Sequence, residues 1–563
     1  MKRKLYAIMA YVLAAAMLIS MPGCGGKKDN GDNSKSKSGS SKAKAKPDMS
    51  LVDTSGDHLK MKDKTKLTML IPKDTNIEDL DTNDYITKLE DAVNVDLQFE
   101  YLPASDAKQK LSVMLSSGTE LPDTILYNLS SIEVYTYGAQ GYFLPLNDYI
   151  DQCSKYFKDY LGTDEGKENT KYFKSPDGNI YSYPNIIEEI GNDYDHRIWI
   201  NKTWLDKLGL EKPTTTDEYY QVLKAFKEKD PNGNGKADEI PLVGSTDGWV
   251  QGVWKTLMYS FLYLNDYFDY IVKDKDGKLT VSYIQPEFRD GLEYLNKLCS
   301  EGLLSPLTFT QDQNQLKQII GDPSGVVIGS VCAGSMSLYA ASEERKKDIT
   351  HLAPLIGPDG VQLTSDRHSS LPNYVGYITK DCKNPTAAAV LFDYMYSTDM
   401  AMQGRWGTEG KSWVKAEPGE KGMYEDQGYD PIFKITDNIW GTTQNQEIGE
   451  VGPTLRQYDL TCGQVTPDDP YNAQLMSAEA SKEYMDKVPD DVVYRIIYTK
   501  EEADEIAEIL NSLNTYRDEA VVAFITGTRP LSDWDNYVKE IQNIGLDKFV
   551  EISQKAYDRM QKQ

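Results

Sequence analysis

Between residues 65 and 127 the sequence changes its hydrophobic period twice, and this limits the fold more than any other feature. Leu67, Met69 and Ile71 alternate as a strand should. Ile86, Leu89 and Val93 then share one helix face, and Val95, Leu97, Phe99 and Tyr101 alternate again. A strand, helix and strand in succession form a crossover unit, which joins parallel strands. A helix over 107–116 and a third strand entered at Leu121–Tyr127 continue the pattern. The expected fold class is α/β, with parallel-rich sheets flanked by helices. At 563 residues the chain exceeds one core and suits two large lobes. Ligands of open α/β sheets settle outside the carboxyl ends of strands. Asp123 and Tyr127 flank the third strand, and Tyr127 and Asn128 are therefore site candidates.

The formal net charge of −26 opposes binding to phosphate backbones, and nucleic acid is not an expected partner. Tyrosine outnumbers phenylalanine, 38 to 13, a bias that suits wet interfaces and polar ligands. The five cysteines beyond Cys24 are scattered and odd in number, so no disulfide framework is expected, and most should be small buried residues. Helices are marked by a Thr215–Glu218 capping box with an apolar face at Tyr219, Val222, Leu223 and Phe226, by Asn384 before Pro385, and by Thr499 with Glu502. Trp249, Trp254, Tyr259, Tyr263 and Tyr267 follow at near-helical spacing, which favours core positions for most of them. Trp249 comes directly after Asp247-Gly248 and suits a helix entrance instead. Asp366-Arg367-His368 reads as a polar island in a loop.

Asp230-Pro231-Asn232-Gly233-Asn234-Gly235-Lys236-Ala237-Asp238-Glu239 holds the densest set of ligating oxygens in the chain. Asp230, Asn232 and Asn234 recur at every second position, with Gly233 and Gly235 after the two asparagines, as a short loop wraps a hard cation. The stretch resembles the first part of an EF-hand loop. It departs at the closing position, where Pro241 has no carboxylate. Asp238 and Glu239 would close the cage, with the Lys236 carbonyl as a further oxygen. The expected cofactor is a structural Ca2+; the alternative is an Asx-rich turn.

The N-terminus reads as a targeting segment. Lys2-Arg3-Lys4 precedes an apolar run from Leu5 to Ile19, short for a span of ~20 residues and suited to a signal peptide over 1–23. Gly23-Cys24 resembles a bacterial lipobox, which implies lipidation of Cys24. Residues 25–50 are nearly free of apolar side chains, and 24–64 is expected to be a flexible tether.

The stretches Trp199–Gly209, Pro213 to Pro241, Ile378–Ser397, Glu409–Trp413 and Phe524–Trp534 together resemble extracellular solute-binding proteins of ABC importers. The likeness is to the large calcium-bearing type that takes up oligosaccharides, such as alginate-binding proteins. That resemblance implies a two-lobed clamp of type II, with lobe one at 65–190 and 365–435 and lobe two at 191–364 and 436–563. It implies calcium ligands at Asp230, Asn232, Asn234, Lys236, Asp238 and Glu239. It also implies a cleft in which Trp249, Trp254, Trp406 and Trp440 stack on sugar and Asp123, Tyr127 and Arg367 make polar contacts. Core packing is the alternative for each tryptophan. The implied partners are an oligosaccharide and an ABC permease, for a lipid-anchored monomer at the outer face of the cell membrane. The competing functions are a secreted glycoside hydrolase, since acidic pairs are easily found among 87 Asp and Glu residues, and capture of a non-sugar solute such as a peptide. No nucleophile elbow, HExxH or P-loop supports an enzyme.

Overall fold

The alternation read at 65–127 forms one half of a six-stranded sheet. The computed structural model describes residues 46–562, apart from 104–105, 118, 322–325, 341, 343 and 441. Thr65–Pro72 pairs in parallel with Val95–Leu102 on one side and Thr124–Leu129 on the other, as the crossover pattern requires. Asn373–Ile378 then joins antiparallel between Thr124–Leu129 and Tyr183–Ile187, and Thr454–Arg456 closes the sheet parallel to the latter. The second sheet has four strands, in the order Ile349–Leu352, Ile198–Asn201, Ile328–Cys332, Ile240–Val243. Only its last pairing is parallel.

Each sheet has its own core. Leu67, Met69, Ile71, Ile86, Leu89, Val93 and Leu391 belong to the first, and Tyr219, Leu223, Phe226, Leu242, Leu513 and Phe524 to the second. Two cores in one chain are what its length requires. The helix signals hold: Thr215 and Glu218 form a reciprocal capping box, as do Thr499 and Glu502, and Asn384 caps Pro385–Tyr394.

Two boundaries differ from the sequence reading. Thr454–Arg456 pairs within the first sheet, beyond residue 435, where the sequence reading ends lobe one. Residues 48–61 are folded, not tether. Val52–Asp53 pairs with Lys60–Met61, Val52 and Met61 are buried, and His58 packs at a tilt against Tyr394, with ring centroids 4.6 Å apart. The few apolar residues of this stretch find a surface on lobe one, which composition alone does not reveal. Residues 1–45, with the signal segment and Cys24, lie outside the described residues. The five later cysteines are free, with Cys153, Cys332 and Cys462 buried.

Among the described residues three segments run between the two sheets, after Ile187, Leu352 and Arg456, and Asp193 ties them together. Its carbonyl accepts from Arg367 N (3.0 Å), Oδ1 from Ser369 N (2.6 Å) and Oδ2 from the Tyr458 hydroxyl (2.7 Å). Glu188 adds a bond from Tyr458 N (2.8 Å), but its Oε1 is buried without a partner. Burial and the neighbouring Glu165 push the Glu188 carboxyl well up, and burial pushes Asp193 up to about 6. Folded-state values above the unfolded ones mean that the folded chain holds extra protons, so stability falls as pH rises above ~4.3. Glu188→Gln keeps the acceptor and removes the titration. Its melting temperature should exceed the parent's by ~2 °C or more near pH 8, with the gap closing toward pH 5. A gap independent of pH in a pair of thermal melts would show that ionisation of Glu188 is not the cause.

Candidate ligand cleft

The strands Ile240–Val243 and Ile328–Cys332 run parallel and end on the same edge of the second sheet. The chain beyond each end is irregular, and these two loops build the site. After Val243 comes 244–252, with Gly248 at φ +92° and Val250 at φ +58°. A positive φ at a β-branched residue is a strained conformation that needs support from its surroundings. That support comes from Gln251, buried and accepting from Ser245, and from Gly334 on the facing loop, whose N–H donates to the Trp249 carbonyl (3.1 Å).

Trp249 is the wall between two cavities. The larger, about 710 Å³, is lined by Trp249, Trp254, Lys255, Tyr267, Arg367 and His196 among others. The second, about 290 Å³, is lined by Trp249, Ser335 and Ser337 and by Arg405, Trp406 and Tyr424. Its Arg405 is held between Glu189 (3.6 Å) and Glu450 (3.4 Å) and lies over the Trp440 ring at 3.9 Å.

The expected ligand residues divide on these cavities. Trp249, Trp254 and Arg367 line the first, and Trp249 and Trp406 the second. Trp254 also serves the core, parallel to Tyr270 at 6.5 Å and edge-on to Phe288. Trp406 is 6% exposed and packs on Phe433 at 4.4 Å. Trp440, 38% exposed, lines neither cavity and acts on Arg405 instead. Arg367 makes no side-chain hydrogen bond or ion pair among the described residues, which leaves its guanidinium free to meet a ligand.

Asp123 and Tyr127 line neither of these two cavities. Asp123 precedes its strand, at the amino end. It is 7% exposed, its Oδ2 accepts from the Thr68 backbone (2.8 Å) and hydroxyl (2.9 Å), and its Oδ1 accepts from Lys383 N (2.8 Å). It fastens the turn at 379–383 to the sheet. Tyr127 packs against the first core. Asn128 does reach a third cavity, of about 620 Å³, shared with Arg495 and the helix Lys500–Thr526.

Sequence reading missed the polar wall of the larger cavity. Helical spacing sent Tyr267 to the core, but the helix ends at Met258, and positive φ at Asn265, Asp269 and Tyr270 turns the chain so that Tyr267 lines the cavity. Below it lie His196 and Asp266, both almost fully buried. Burial works against charge on His196, yet the carboxylates of Asp266 and Asp195 outweigh it and push its pKa up to about 9. Burial likewise works against the Asp266 charge, and His196 and Lys255 hold that carboxyl well below the usual range. The arrangement offers flat aromatic faces and fixed polar groups to a solute, the usual make-up of a small-molecule cleft.

Residues 79–402 match the bacterial extracellular solute-binding proteins, more than half of the chain. This chain belongs to that family. The fructooligosaccharide ABC transporter substrate-binding protein FusA of Streptococcus pneumoniae is 31% identical over 473 residues, 81% of this solute-binding protein and 83% of FusA. Lipoprotein LipO of Bacillus subtilis is 28% identical over 289 residues, half of this chain and 54% of LipO. The solved FusA complex with kestose superposes with a TM-score of 0.70 at 27% identity, over 88% of this chain and 99% of that one. An EF-hand mutant of FusA with fructo-nystose gives 0.69 at 26%, with the same coverage. The alginate-binding protein AlgQ2, solved without calcium ion, shares the fold at 22% identity and a TM-score of 0.64, over 88% of this chain and 99% of AlgQ2. The two-lobed architecture of this solute-binding protein is that of its relatives.

The oxygen-rich loop lies at the other end of the strand that leads to Trp249. Asp230 Oδ1 accepts from Gly233 N and Asn234 N, and Oδ2 from Gly235 N. Asn232 and Asn234 each accept from the backbone two residues on (2.9 and 2.7 Å). Gly233 and Gly235 adopt φ of +76° and +74°, which coils the loop. Among the described residues no three His, Cys, Asp or Glu side chains gather as a metal site. A cation here needs the amide and Lys236 carbonyl oxygens as well. The charge balance favours one: Glu239 Oε1 is buried without a partner, and burial with the Asp230 and Asp238 charges pushes that carboxyl up.

Gly334 carries a prediction for this solute-binding protein. A Cβ there would meet the Trp249 ring at 2.3 Å. Overpacking of that kind costs about 1–3 kcal/mol and is relieved by moving the neighbour. Gly334→Ala should tilt Trp249 and weaken solute binding by about tenfold, read by calorimetry, with a fall of a few degrees in the melting temperature.

Proposed function

We propose that this protein captures an oligosaccharide between its lobes and hands it to the permease of an ABC importer, without cleaving it. The observation that carries this reading is the pair of cavities joined at Trp249, in a family member whose relative FusA is named for fructooligosaccharide transport. Aromatic faces suit the apolar faces of sugar rings, and Arg367, Lys255, Ser335 and Ser337 suit hydroxyls. Ligand contacts are assigned to Trp249, Trp254, Tyr267, Arg367 and Trp406. We assign Cys24 as the lipid anchor on the outer face of the membrane, a reading supported by the lipoprotein LipO; among the described residues no helix is long and apolar enough to cross a membrane. The loop 230–239 is assigned a structural calcium ion, with Asp230, Asn232, Asn234, Asp238, Glu239 and the Lys236 carbonyl as its ligands. Bound there, the ion would neutralise the carboxylates and fix the loop.

Isothermal titration against kestose, longer fructans and uronate, xylan and mannan fragments tests the function. One glycan class should bind at micromolar affinity or better and elute unchanged. Binding of peptides alone, or release of new reducing ends from a polysaccharide, would overturn it.

A further inference from the structure

The buried charges under the larger cavity do more than stabilise the fold. Asp195 is fully buried, and its Oδ2 accepts from both Trp249 Nε1 (2.7 Å) and the Tyr267 hydroxyl (2.6 Å). Both donors belong to rings that line the cavity. Asp195 Oδ1 faces His196 Nδ1 at 3.1 Å, and His196 Nε2 faces Asp266 Oδ2 at 3.3 Å. Lys255 Nζ also meets Asp266 Oδ2 (3.3 Å), and the Tyr259 hydroxyl donates to Oδ1 (2.8 Å). The rings of Tyr259 and Tyr267 stand edge-on to the imidazole, each at 5.5 Å.

A histidine between two carboxylates satisfies both only as imidazolium, with a proton on each nitrogen. A neutral ring would turn a lone pair toward one carboxylate. The loop that carries Trp249 has no regular structure of its own. Its indole is fixed by Gly334 on one face and by Asp195 at its edge. Rings held in place before binding avoid the ordering cost of association.

We propose that Asp195 and His196 are positioning residues of the cleft: the His196 imidazolium holds the Asp195 carboxylate, and that carboxylate sets the angle at which Trp249 and Tyr267 meet the ligand. This rests on reading the cavity as the ligand site. The charged and titratable groups facing His196 are Asp195, Asp266, Lys255, Tyr259 and Tyr267, with Arg197 next in the chain. With His196 raised to about 9 and Asp266 depressed, the clamp holds from mildly acidic to mildly alkaline solution. It loosens as pH rises through about 9.

The test reads the indole N–H of Trp249 in a 15N spectrum of the sugar-free protein, assigned by its loss in Trp249→Phe. In the parent this signal should shift with a midpoint near 9. His196→Gln should remove that inflection, and Asp195→Asn should move the signal at neutral pH. An unaltered inflection in His196→Gln, or an unmoved signal in Asp195→Asn, overturns the proposal. If either variant fails to fold, the parent titration and Tyr267→Phe decide, and a Trp249 signal flat across the alkaline range or untouched by Tyr267→Phe overturns it equally. In a second arm, kestose, or whichever glycan of the panel the parent binds, should bind Asp195→Asn about tenfold more weakly. If the parent binds no glycan, the sugar reading falls, while the sugar-free titration still decides the positioning role.

Discussion

Trp249→Ala is expected to weaken solute capture by about a hundredfold while leaving the melting temperature within ~3 °C of the parent. The indole is the shared wall of both cavities, so its loss merges them and removes a stacking face from each. Central aromatic anchors contribute about 2–4 kcal/mol at interfaces, and every 1.4 kcal/mol is tenfold in affinity. The fold should tolerate the change, because Trp249 belongs to no core cluster and sits on an irregular loop. Trp254→Ala makes the contrast. Its ring packs on Tyr270 and Phe288, so truncation should cost about 3–5 kcal/mol of stability as well as affinity. Trp440→Ala should change affinity less than about threefold, since Trp440 reaches the cleft only through Arg405. Calorimetry and thermal melts on the three variants separate these roles. An unchanged affinity in Trp249→Ala would remove the cavity pair as the binding site.

The elements of this fold were more legible than its cleft, for a physical reason. Helices and strands announce themselves locally: Thr215 with Glu218, Asn384 before Pro385 and the alternation from Leu67 are contacts within a few residues. The βαβ unit follows from them because adjacent parallel strands need a crossover connection, usually a helix. Lobe membership is not local. Thr454–Arg456 is only three residues long, and its pairing with Tyr183–Ile187 is what assigns it to the first sheet. Site residues depend on which strand ends face the cleft. The rule that ligands meet the carboxyl ends of strands led to Tyr127 and Asn128 in the first sheet. Applied to Ile240–Val243 and Ile328–Cys332 it leads to Trp249 and Gly334. Asp123 is a buried carboxylate with three donors, a fastening that no spacing reveals. Asp195 and Asp266 lie far apart in sequence and meet only through His196, so the network had no sequence signal.

Removing calcium is expected to lower the melting temperature by several degrees without altering affinity for the solute. The loop joins the helix Thr216–Glu228 to the strand Ile240–Val243, and both are anchored in the second core by Tyr219, Val222, Leu223, Phe226 and Leu242. Lys207 reinforces the junction through the Pro231 carbonyl (3.0 Å). A cation bound only by the folded chain stabilises it by mass action, about 2.7 kcal/mol at a hundred times its dissociation constant. The cleft lies past the opposite end of the same strand, so the loss should appear in melts and not in titrations with sugar. Asp230→Ala should abolish the response to chelator, but it also removes the acceptor for three backbone N–H groups. Glu239→Gln is the sharper variant. It removes the buried, repelled charge and keeps the shape of the side chain. In chelator it should melt above the parent, and in calcium below it, so that the two curves exchange order. A parent melting curve indifferent to chelator would falsify the stabilising role, and a Glu239→Gln protein that melts lower in both buffers would mean that its carboxylate is held by the protein itself and awaits no ion.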